Sequence, residues 1–264
     1  SEGEPYYCGV EGKKSIDKFR AKKKDPSLRC TPIFDPFHEK TERYNFSFSS
    51  ELVDEIREYC RMHNIGVQHF VSSAFRVYLS AINRNANDVS FFETVSRRAT
   101  AAERTMGGCM VHAFSVRTVF TDDEPFSEMT QNLAKRYLQI YRHSSCPTIP
   151  LLSASHDVYH HAQTNDYSTL VYTYMPAARG ANDGWNRTFG GYNPGNFSHK
   201  AYLYVHEDKL GGGITCAFTY RVNLISEADA KNMFEQTKNI LEKAIIDPDM
   251  TIGELKKAVT LTNI

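Results

Sequence analysis

Between positions 156 and 166 the chain reads HDVYHHAQTND, its densest cluster of side chains able to move protons. Adjacent histidines followed by an acid can act as a general base toward an acceptor nucleophile, the imidazole titrating near neutral pH while the acid orders the local backbone. In the spacing HHxxxDG the acid stands four residues after the second histidine. Here Asn165 holds that place and Asp166 holds the glycine's. A carboxylate shifted by one residue on a turn points elsewhere, so His160 and His161 read as a solvated or partly buried cluster rather than a catalytic pair. His156 and His160 share a helix face at i, i+4, as zinc ligands can, but no HExxH and no cysteine accompany them. Gly211, Gly212 and Gly213 have no GxGxxG context and no following Lys-Ser/Thr, so they read as a hairpin turn rather than a phosphate cradle. Cys109 and Cys146 lack a neighbouring His/Asn signature and read as structural thiols.

The composition narrows the setting. Thirty-one Lys and Arg against 31 Asp and Glu give a formal net charge of +0, which disfavours general electrostatic recruitment to nucleic acid or to an anionic membrane. No apolar run approaches the roughly 18 to 20 residues of a membrane span, so a soluble protein is expected. Cys8, Cys30, Cys60, Cys109, Cys146 and Cys216 are scattered singly, as expected of reduced thiols in a cytosolic protein. With 41% hydrophobic and 12% aromatic residues the chain carries enough apolar surface for an ordinary core. It opens on Ser1, with neither a signal-peptide nor a transit-peptide pattern, and reads as a cut edge.

The elements that must position these residues follow from periodicity. The first 44 residues are aperiodic and proline-bearing, with a basic run from Lys18 to Arg29, and read as a connector. NFSF at 45–48 alternates as a strand; Ser50 then reads as an N-cap, and Leu52, Ile56, Tyr59, Cys60 and His63 form one helical stripe. Val67, Phe70, Val71, Ala74, Phe75, Tyr78, Leu79 and Ile82 repeat the three-four spacing of a core helix. VSFFETV at 89–95 is β-branched and aromatic, hence a buried strand, and a second strand spans about 110–120. Asp122 to Glu124 lead into a helix carrying Met129, Leu133, Tyr137, Ile140 and Tyr141 inward, which stops near Cys146-Pro147. A short helix at 151–160 and a strand at 169–175 precede a Gly/Asn-rich loop at 176–198 that holds Trp185. AYLYV and ITCAFTY pair as a hairpin, and a helix from Ser226 to Ile246 closes the domain. Irregular alternation of helices and strands predicts one α/β layered domain, an α+β sandwich with a mixed sheet covered by helices.

In this order the segments from 45 to 255 resemble the second half of the condensation domains of nonribosomal peptide synthetases. The stretch from NFSF to SRR resembles that family's two helices, strand and terminal Gly-Arg, with Arg98 matching the arginine and the glycine missing. MGGCMVHAFSVR resembles GxFxNxLxxR through Gly108, Phe114 and Arg117, with Met110 replacing Phe and His112 replacing Asn. LVYTYMP stands where a strand of the family's substrate tunnel would be, and ITCAFTYRVNLISEADAKNMFEQTKNILEKAIIDPDMTIGEL resembles the closing strand, last helix and exit linker.

The resemblance implies one lobe of a chloramphenicol-acetyltransferase-like fold: a connector at 1–44 from an N-terminal lobe, the C-terminal lobe at 45–247 and an exit linker at 248–264. It implies amide bond formation between carrier-protein-bound thioesters, with the HHxxxDG base on the N-terminal lobe preceding Ser1, so that this chain has no catalytic residue of its own and is inactive alone. Thr173 and Tyr174 are expected to line the tunnel, and Arg98, Gly108, His112 and Arg117 to serve as structural motif residues, of which Arg98 and Arg117 brace the sheet. The implied partners are that N-terminal lobe, peptidyl carrier proteins and a following adenylation domain, without nucleic acid or membrane. No cofactor or metal is expected to bind directly, only the phosphopantetheine arm of the carrier. Two alternatives stay open: a self-contained acyltransferase using His161, and a noncatalytic carrier-protein docking module.

Overall fold

In a computed structural model, residues 40–96, 98, 100–107, 111–143, 170–176, 201–207 and 213–259 are described. Strand β1 (Thr41–Phe48) leads into helix α1 (Ser50–Met62), whose N-cap is Ser49, one residue earlier than expected; its hydroxyl accepts from the Leu52 amide. Helix α2 (Val67–Ile82) follows Gly66 and is buried almost all round, Ser72, Ser73, Arg76 and Ser80 included, which its apolar stripe alone did not foretell. Strand β2 (Asp88–Ser96), a five-residue helix α3 (Ala101–Thr105) with a Thr100/Glu103 capping box, and strand β3 (Val111–Val119) come next. Helix α4 (Phe126–Arg142) ends four residues short of Cys146. Strands β4 (Leu170–Met175), β5 (Ala201–Glu207) and β6 (Ile214–Arg221) complete the sheet, and helix α5 (Glu227–Ile246) begins from a Ser226/Asp229 capping box.

The strands form one six-stranded sheet in the order β1-β6-β5-β4-β2-β3. The β2–β4 and β4–β5 pairs are parallel and the outer pairs antiparallel, so the sheet is mixed, as expected. Side chains alternate between its faces. One face carries Phe91, Val95, Phe114, Tyr172, Leu203, Cys216 and Phe218, all buried against α2, α4 and α5. Phe234 of α5 meets Phe46, Phe75 and Phe218 there with ring centroids 5.3 to 6.1 Å apart. Among the described residues no helix covers the other face.

Two boundaries depart from the sequence reading. Strand pairing begins at Thr41↔Arg221, so the connector expected to run to residue 44 gives way to sheet at 41. The segment 248–264, which reads as an exit linker, docks onto the body as far as Val259 through helix α6 (Ile252–Lys257), with Ile252 and Leu255 fully buried. One and a half turns are too short to show a hydrophobic period, which is why the sequence hid it. Three backbone hydrogen bonds, Phe126 N to Met250 O, Ile252 N to Glu124 O and Gly253 N to Asp122 O, tie this segment to the approach of α4.

Candidate functional site

The helix-free face of the sheet carries the group of polar side chains best placed to meet a ligand. Thr94 on β2, Thr173 on β4 and Tyr202 on β5 come from separate stretches of sequence, and the parallel pairing of the three strands sets them in a row. Their oxygens lie 2.7 Å apart (Thr94 Oγ1 to Thr173 Oγ1) and 2.8 Å apart (Thr173 Oγ1 to Tyr202 Oη), and all three side chains are half-buried. The ring of Tyr202 stacks on Tyr204 at 4.2 Å with 10° between the planes. Burial, and then the hydrogen bond with Tyr202, push the Tyr204 phenol well above its ordinary value, so Tyr204 keeps its proton. Ser90 and Ser115 join across β2 and β3 at 2.7 Å on the same face. Asp88 also lies there, held by both arms of Arg117 (Nε to Oδ1 2.9 Å, Nη2 to Oδ2 3.1 Å).

Thr173 and Tyr174 do not share a surface. Neighbours on a strand point opposite ways, and Tyr174 faces the helices, where its hydroxyl donates to Glu207 and its ring packs on the core. Burial, then that hydrogen bond, raise its phenol well above the ordinary range. Arg117 braces β2 against β3 through Asp88, whereas Arg98 reaches off the sheet and donates to the carbonyls of Glu103 and Met106 (2.5 and 2.6 Å), closing the end of α3. His112 packs beside Phe114 on the helix-covered side of β3. His156, His160, His161, Gly108, Cys109, Cys146 and the 177–198 stretch lie outside the described residues. Cys60 and Cys216 are buried, and burial pushes the Cys60 thiol up to about 12, so it is no nucleophile near neutral pH. Among the described residues no His, Cys, Asp and Glu group has the geometry of a metal site.

The sequence reading missed a second polar group. Arg76 on α2 and Glu93 on β2 are both wholly buried and meet at 2.5 Å, Arg76 Nη2 donating to Glu93 Oε1. Arg76 also donates to the Val89 carbonyl and to Ser72, and its guanidinium lies over the Phe91 ring at 4.1 Å. Glu93 Oε2 is left without a partner, and burial, against the pull of Arg76, lifts the carboxyl to about 7. The signal available in sequence was the charge at the third buried position of VSFFETV; its partner, 17 residues away, was invisible.

Comparison with known proteins follows from this fold. The family model described as "Condensation domain" matches residues 35–261. A plipastatin synthase of Bacillus subtilis (strain 168) is 23% identical over 210 residues, covering 78% of this chain and 8% of that protein. A surfactin synthase of the same organism is 24% identical over 216 residues, covering 81% and 6%. The chain therefore spans less than a tenth of these relatives. Among solved structures, the first condensation domain of the CDA synthetase superimposes with a TM-score of 0.66 at 16% identity, covering 96% of this chain and 56% of that one. The X-domain from teicoplanin biosynthesis does so with a TM-score of 0.68 at 13% identity, covering 99% and 58%. At these identities the structural likeness carries the fold, a mixed six-stranded sheet with helices. With most of its length matched by the family model, the chain belongs to the condensation domain family.

Proposed function

We propose that this chain is the C-terminal lobe of a condensation domain in a nonribosomal peptide synthetase, of chloramphenicol-acetyltransferase-like architecture. It forms one wall of a tunnel in which an amino group on one carrier protein attacks a thioester on another. The observation that carries this reading is the two-sidedness of the sheet: helices fill one face, while the other presents a half-buried row of hydroxyls at Thr94, Thr173 and Tyr202. The share of a solved condensation domain that the chain spans, 56%, fits a lobe better than a whole domain. On this reading the N-terminal lobe brings the HHxxxDG base, peptidyl carrier proteins deliver both substrates on phosphopantetheine arms, and Thr173 faces the tunnel. Tyr174 supports the strand from behind. The lobe's contribution is positioning and exclusion of water from the reacting groups.

The test is reconstitution. The chain joined to an N-terminal lobe should condense two carrier-bound aminoacyl thioesters, and the chain alone should not. Acyl transfer by the isolated chain that disappears in His161→Ala would overturn the reading in favour of a self-contained acyltransferase. The teicoplanin X-domain, solved also in complex with OxyB, favours a second reading as a docking module; binding of a partner protein by a reconstituted domain that lacks all condensation would support it.

A further inference from the structure

The hydroxyl row is an excess of acceptors. Each hydroxyl brings one O–H and two lone pairs, and each link in the row, the one from Tyr202 on to Tyr204 included, uses one of each, so the row keeps more lone pairs than hydrogens. Thr94 stands at its end, with Thr173 as its side-chain partner. The row is uncharged. Among the described residues this face also carries Arg43 on β1, whose charge acts on Tyr204, and His206 on β5, and its one carboxylate is Asp88, both of whose oxygens are engaged by Arg117. A ligand group that donates N–H is therefore welcome here, while one that carries a positive charge finds no counter-ion and loses water on entering a half-buried site. These properties match a neutral primary amine and reject its ammonium form.

Resting on the proposed condensation reaction, we infer that Thr94, Thr173 and Tyr202 receive the acceptor substrate's amino group as the free amine. Thr94 and Thr173 accept its N–H, which leaves the nitrogen lone pair directed away from the sheet. The N–C bond then forms as the C–S bond of the donor thioester breaks. One N–H proton leaves the nitrogen and ends on the departing thiolate sulfur. Thr94 is a substrate-contacting residue that alternation along β2 puts beside Thr173, while its neighbour Glu93 faces the helices.

Two measurements test this. In the reconstituted two-lobe domain, Thr94→Val and Thr173→Val should each lower kcat/KM for an alkylamine acceptor about tenfold, the size of one lost hydrogen bond, with unchanged melting temperature and with activity restored in Thr173→Ser. Thr94→Asp, which supplies a counter-ion for ammonium, should move the acidic limb of the pH–rate profile upward while sparing a weakly basic acceptor such as an aromatic amine. Valine variants with wild-type kcat/KM, or an unmoved pH profile in Thr94→Asp, overturn the inference. In the second measurement an aminoacyl-pantetheine amide is titrated into the isolated chain and followed through the Thr94 and Thr173 methyl resonances. The row should bind more tightly at pH 9 than at pH 6, and the reverse order overturns it. Free-amine binding without condensation by the reconstituted domain would defeat the proposed function and leave the amine site standing.

Discussion

At the scale of single residues, Glu93, paired with Arg76 among the helices, stands next to Thr94 of the hydroxyl row on β2 and faces the opposite way. A buried pair of this kind adds little net stability, because desolvation offsets the attraction, but breaking it is expensive. Arg76→Met should therefore destabilise the fold by about 3 to 5 kcal/mol, the cost of an uncompensated buried charge, read as a lowered midpoint in urea. Glu93 makes the fold sensitive to pH in a defined direction. Its folded value, about 7, lies above the ordinary 4.5, so the native state holds this proton more tightly than the unfolded chain. The resulting stabilisation is complete below about pH 4.5 and is lost as pH rises through 7. Unfolding free energy should decline across that window in the wild type and be flatter in Glu93→Gln. Equal slopes in the two proteins would contradict a buried, titrating Glu93.

At the scale of elements, the segment after α5 is a structural component. Lys256 of α6 is almost fully buried, donates to Asp122 at 2.6 Å and to Asn87, and lies 5.3 Å from the Phe120 ring, so it fixes α6 to the ends of β2 and β3. Gly253 lets the two segments touch: a Cβ there would stand 2.9 Å from the Asp122 carbonyl oxygen, a backbone atom that cannot swing aside. Gly253→Val should displace α6 and lower the melting temperature by several degrees, whereas Gly213→Val, where a Cβ meets nothing within 4 Å, should not. Truncation after Asp247 should have a larger effect, since it uncovers the partners of Ile252 and Leu255. The long elements were readable because each displays a period: the stripe of α4 and the alternation of β2 are local consequences of having one side to bury. Helices α3 and α6, at five and six residues, are too short to show one.

At the scale of the whole molecule, the sheet order assigns each strand its neighbours and its protection. Strands β4 and β5 lie inside and β1 and β3 at the edges. Amide exchange should be slowest in Tyr172 and Leu203 and faster along β1 and β3, and uniform protection across the sheet would argue against this order. The sequence by itself determined that the chain makes a mixed α/β layer, where its main helices and strands fall, and which ordered motifs resemble the condensation family, since all of these reside in local spacing and composition. Only the tertiary structure decided that Thr94, Thr173 and Tyr202 stand in one row, that Tyr174 turns away from Thr173's face, and that Arg76 meets Glu93. The reason is physical. Periodicity records how each segment divides its own side chains between inside and outside, whereas register and strand order arise from pairing between segments as distant in sequence as Thr41 and Arg221, and no local pattern encodes the partner.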